Sequence, residues 1–98
     1  MSKTIIQHTT PSKRSVFYDL GFDEAEAQVL ALRAALMAAL RECIKEKGWT
    51  QTKAAAELGI TQPRVSALVK GVWRDFSADM LLLLAARIGL RPTLKLVA

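Results

Sequence analysis

Thr61, Gln62, Arg64, Ser66 and Ala67 fall within one short stretch: two hydroxyls, an amide, a guanidinium and a methyl group, gathered at the leading end of a segment that closes at Gly71. An amide such as that of Gln62 pairs bidentately with adenine, and a guanidinium such as that of Arg64 pairs with guanine or with a phosphate. Each good pair of this kind discriminates against the wrong base by about 1–3 kcal/mol. Around this set stand Lys53, Lys70 and Arg74, with Thr50 and Gln51. These are groups that hold phosphates and so fix register without reading sequence.

That chemistry requires elements to carry it. Thr61 is placed to cap a helix, and Pro63 falls in its first turn, where a missing amide hydrogen costs nothing. Ahead of it, Thr50 caps a second short helix that runs from Gln51 to Leu58, and Gly59 ends it in a left-handed conformation. Two short helices joined by a tight turn containing glycine form a helix-turn-helix, whose second helix enters the major groove with its leading residues nearest the base edges. On this reading Ala55 is small because the helices cross there, while Ile60, Val65 and Leu68 point inward. The amino ends of both helices add partial positive charge beside the backbone of a duplex. An ordinary helical hairpin with a solvated polar face would share the apolar positions. It would not call for the local charge excess, in which Lys53, Arg64, Lys70 and Arg74 face only Glu57 between Thr50 and Arg74.

The remaining elements are legible from caps and periodicity. Asp23 and Glu26 form a capping box for a first helix. Its apolar positions Val29, Leu32, Leu36, Leu40, Cys43 and Ile44 recur at helical spacing, Lys45 and Lys47 suit its carboxyl end, and Gly48 stops it. Such a helix reaches roughly 37 Å, more than a small domain needs to cover its core, so its first half is expected to project and pack on something else. Val72 to Phe76 reads as a linker. Ser77 then caps a fourth helix with Leu81, Leu82, Leu84, Ala85 and Ile88 as its apolar face, ended by Gly89 and Pro92. Thr93 to Val97 alternates and reads as a short strand, which needs a partner for its backbone groups. A strand from another chain is the expected partner, with Leu94 and Leu96 facing a core and serving dimerisation.

A chain of 98 residues carries one core. Residues 1–15 read as a flexible arm and 16–98 as the domain, with Val16, Phe17, Tyr18, Leu20 and Phe22 anchoring the arm. The net charge of +5 favours a polyanionic partner. Cys43 is the only cysteine, so no disulfide framework is available within one chain and core filling is its expected role. His8 is the only histidine and lies in the arm, which disfavours histidine-based acid or base catalysis and His/Cys zinc sites. Asp23, Glu24 and Glu26 cluster in one turn, where capping and the helix dipole account for them. No cofactor, metal site or enzymatic constellation is expected. Neither a signal peptide nor a membrane span is visible in the composition, and the cytoplasm is the expected compartment.

The stretch from Val16 to Val97 resembles Xre-type helix-turn-helix proteins, and in particular the small HigA-like antitoxin branch. The likeness is carried by YDLGF before the long helix, by GWTQTKAAAELGITQPRVSALVKG, and by DFSADMLLLLAARIGL after it. It implies an all-α, lambda-repressor-like bundle of about four to five helices with a short C-terminal β-strand. It also implies a homodimer that represses its own operon by binding palindromic double-stranded operator DNA. A further implied partner is a RelE- or HigB-like toxin that cleaves messenger RNA, which the protein would silence. The family's recognition positions fall on Thr61, Gln62, Arg64, Ser66 and Ala67. A stand-alone phage-type transcriptional regulator without a toxin is the alternative.

Overall fold

The computed structural model describes residues 5–6 and 20–97. Four α-helices carry the fold: α1 (Glu24–Lys47), α2 (Gln51–Leu58), α3 (Gln62–Lys70) and α4 (Ala78–Arg87). Trp73–Asp75 forms a 3-10 turn between α3 and α4, and two short strands, β1 (Ile5–Ile6) and β2 (Thr93–Leu94), complete the order. The fold is all-α apart from these strands.

Each helix starts where a short polar side chain satisfies a free amide of the first turn. The Asp23 carboxylate accepts from the Glu26 N–H at 2.8 Å, and the Glu26 carboxylate accepts from the Asp23 N–H at 3.2 Å. Thr50, Thr61 and Ser77 each accept from the amide three residues on, at 3.1, 3.4 and 3.1 Å. Gly59 sits at φ +71°, a backbone conformation that strains any residue with a Cβ, and it allows the chain to reverse between α2 and α3. A Cβ added there would also meet the Arg87 guanidinium at 3.2 Å.

The core gathers Leu36, Met37, Leu40, Cys43 and Ile44 of α1 against Ala54, Leu58, Val65, Leu68, Phe76, Leu81, Leu84, Ala85 and Leu90. A smaller cluster under the first half of α1 joins Ala27 and Leu30 to Phe22, Ala31, Ala34 and Trp73. Burial raises the Cys43 thiol above its ordinary pKa, so it stays protonated, as suits a packing residue.

Several expectations are corrected in detail. Ala54 is the fully buried small residue of α2, and Ala55 beside it is half-buried and packs against the same core. The inward row of α1 begins on Ala27 and Leu30, leaving Val29 51 % exposed. Leu82 of α4 is exposed. The segment Val72–Phe76 is more than a linker, since it contains the 3-10 turn and delivers Phe76 into the core.

The tail strand is shorter than expected and finds its partner within the chain: β2 pairs in parallel with β1, Ile5 opposite Thr93 and Ile6 opposite Leu94. Leu94 and Leu96 do not face a core of this chain; both are exposed, Leu96 at 85 %. Among the candidate anchors of the arm, Leu20 is exposed and Phe22 meets Trp73 edge-on at 6.2 Å, while residues 16–18 and His8 lie outside the described residues.

Candidate nucleic-acid interface

The geometry of α3 follows from two buried residues. Val65 and Leu68 are each 0 % exposed, which fixes how the helix is rolled against the core. Residues four apart share a helix face, so Gln62, Ser66 and Lys70 form one row, with Pro63 and Ala67 in the row beside it. Gln62, Pro63 and Lys70 are exposed, and Ser66 and Ala67 half-buried. A nine-residue helix thus presents an amide, a hydroxyl and an ammonium along its outer side, and it is held by α2 behind it.

Two leading groups are already oriented. The Gln62 Nε2 donates to the Thr52 Oγ1 at 3.1 Å, which limits the rotamers of an otherwise free amide and leaves its carbonyl oxygen unspent. Thr61 uses its hydroxyl to cap the helix and remains exposed.

Arg64 behaves differently. It shares its row with Leu68, so its stem leaves the helix toward the body. Its Nη2 donates to the Asp75 carbonyl at 3.1 Å, and its Cζ lies 4.8 Å from the centre of the Phe76 ring. The guanidinium that the sequence offers to a guanine or a phosphate rests, in this structure, on a backbone carbonyl of the same chain at an exposed position.

The phosphate candidates ring α3. Thr50 and Gln51 are exposed at the start of α2, Lys70 at the end of α3 and Arg74 on the 3-10 turn, where its Cζ lies 4.7 Å from the Trp73 ring centre. Lys53 is partly neutralised, because its Nζ lies 3.4 Å from a Glu57 carboxylate oxygen one turn on. That exposed pair is worth little to the fold and remains breakable.

Sequence reasoning missed two arginines that hold this arrangement. Arg33 of α1 donates to the carbonyls of Trp73 and Phe76, each at 2.6 Å. Arg87 of α4 donates to the Leu58 carbonyl at 2.9 Å, closing the end of α2. No local spacing rule signals bonds made across 40 or 29 positions in the chain.

Two short helices crossing at a glycine turn, the second with its polar side outward and its apolar side fully buried, define a helix-turn-helix DNA-binding fold. The sequence profile of the helix-turn-helix domain matches residues 16–96, and the chain belongs to that family. DNA binding in the service of transcriptional regulation is what membership implies; such domains are not typically enzymes. No curated protein matches the chain significantly. Among the described residues no helix is long and apolar enough to cross a membrane.

Proposed function

We propose that this protein is a sequence-specific transcriptional repressor in which α3 is the recognition helix. Gln62 and Ser66 read base edges in the major groove, with Thr61 and Ala67 flanking them, and Lys70, Arg74, Lys53, Thr50 and Gln51 hold the phosphates. The observation that carries the reading is the outward row Gln62, Ser66, Lys70, exposed at both ends and half-buried at Ser66, on a helix whose Val65 and Leu68 have no exposure at all. A homodimer reads a palindrome with half-sites about 34 Å apart, one helical turn. The exposed Leu94 and Leu96 support dimerisation through the tail.

Selection from a pool of random duplexes tests this directly. An inverted repeat should emerge and should be lost when the selection is repeated with Gln62→Ala. Enrichment of no sequence would overturn the proposal.

Within this reading the protein is the antitoxin of a toxin-antitoxin pair and neutralises a RelE- or HigB-like toxin. Support comes from the YDLGF lead-in and from a first helix of 24 residues whose Val29 is left exposed away from the main core. Co-expression with the product of the adjacent reading frame should yield a stable complex. A neighbour that is not a small basic protein, or that fails to co-purify, leaves the stand-alone regulator.

A further inference from the structure

We infer that Arg64 is a positioning residue: together with Arg33 it clamps the 3-10 turn Trp73–Asp75, so that α3 and the phosphate-holding Arg74 dock on the duplex as one body. The inference rests on reading α3 as the recognition helix.

The first residue of the turn, Trp73, is seated against both hydrophobic clusters and meets Phe22 edge-on, whereas its far end is solvent-facing. The turn has no side-chain cap at its start, Arg74 and Asp75 are exposed, and Trp73 is half-buried. A three-residue 3-10 turn satisfies few of its own carbonyls. The Trp73 carbonyl already accepts from the Phe76 N–H at 3.2 Å, and two guanidiniums add further donors along the turn. Arg33 approaches from α1 and donates from Nη2 to the Trp73 carbonyl and from Nε to the Phe76 carbonyl, a two-pronged contact that the planar fork of arginine makes and a lysine cannot. Arg64 approaches from α3 and takes the Asp75 carbonyl between them. Its charge rests over Phe76, which is 1 % exposed, so the cation faces a ring that is itself fixed in the core.

The position of the clamp gives it a consequence for DNA. Lys70 and Arg74 are separated by Gly71, Val72 and Trp73, and Gly71 adopts φ +79°. Packing of Val65 and Leu68 fixes α3, but nothing in that packing fixes Arg74. Backbone bonds from Gly71 and Val72 to Leu68 and Ala67 tie the entry of the turn to α3, and the Arg64 bond to the Asp75 carbonyl ties its far end, beside the phosphate anchor. Loss of Arg64 therefore loosens the Asp75 end of the turn, and with it the backbone that carries Arg74, and leaves the base-reading row intact.

The experiment measures affinities of Arg64→Ala, Arg74→Ala and the double variant for the selected operator, for a set with each base pair of one half-site replaced, and for a random duplex, across a salt series. The emission of Trp73 is followed in a Trp49→Phe background. The expected result for Arg64→Ala is a loss of about tenfold, equal on every duplex, with the salt slope reduced by about one. The double variant should be no weaker than the poorer single, and Trp73 emission should shift. Relaxed preference at one base pair with unchanged Trp73 emission would make Arg64 a base reader and overturn the assignment, as would additive losses. Should Arg64→Ala not fold, Arg64→Lys decides: a lysine still reaches a single carbonyl and should keep all base preferences, whereas replacing a guanine-reading fork would relax one. Gln62→Ala, run alongside, separates the two levels, since if it too leaves every base preference intact, the reading of α3 fails rather than the clamp.

Discussion

Replacing Gln62 by alanine removes the one side chain on α3 that combines full access to a groove with an already oriented amide. A bidentate contact to adenine is worth about 1–3 kcal/mol, which is about a 5- to 150-fold loss on the operator. The same change on random DNA should cost little, because an amide contributes nothing to counterion release. The bond from Gln62 Nε2 to Thr52 Oγ1 at 3.1 Å adds a second expectation. Thr52→Ala leaves the amide in place but frees its rotamers. The bond is exposed and neutral, so its removal should cost about 0.5–1.5 kcal/mol, or about 2- to 12-fold, and only while Gln62 is present. A double-mutant cycle by fluorescence anisotropy isolates that coupling. Losses for Gln62→Ala that are equal on operator and random duplex, or a zero coupling with Thr52, would refute the reasoning that a pre-set amide reads sequence.

Four further outcomes follow from the same geometry. Lys70→Ala should weaken binding to every duplex alike and lower the salt slope by about one, measured by anisotropy over a salt series. Glu57→Gln releases Lys53 from its ion pair and should strengthen binding to random DNA at low salt without changing base preference. Leu68→Ala empties a fully buried site and should cost about 2–5 kcal/mol of stability, a fall of roughly 10 °C or more in Tm by circular dichroism. Under the proposed dimerisation through the tail, the unaltered chain should run as a dimer in light scattering, and replacing Leu94 and Leu96 with serine should yield a monomer with unchanged helical content.

What the sequence made legible was local. Asp23, Thr50, Thr61 and Ser77 each cap a helix by bonding an amide three residues on, and that rule operates within one turn of chain. Gly48, Gly59 and Gly71 adopt the left-handed helix ends that their positions implied. The misplaced details all depend on distant partners. That Ala54 is buried more fully than Ala55 depends on how α2 is rolled against the core. The burial of Phe76 and the exposure of Leu82 depend on the path of the 3-10 turn. The pairing of Thr93–Leu94 with Ile5–Ile6 joins segments at opposite ends of the chain, with no turn signal to announce it. Arg64 is the instructive case for the site: its place in the helix gives no sign of the contacts it makes with the Asp75 carbonyl and the Phe76 ring, because these partners arrive on the 3-10 turn that follows α3.

The central claim is that the Gln62–Ser66–Lys70 side of α3 lies in the major groove. Photo-cross-linking from a benzophenone amino acid placed at Ser66, with the same group at Leu82 on α4 as control, tests it most directly. The account predicts adducts from position 66 on bases at matching positions of the two half-sites, and none on bases from position 82. Adducts confined to position 82, or attachment from position 66 only to sugar and phosphate, would contradict it.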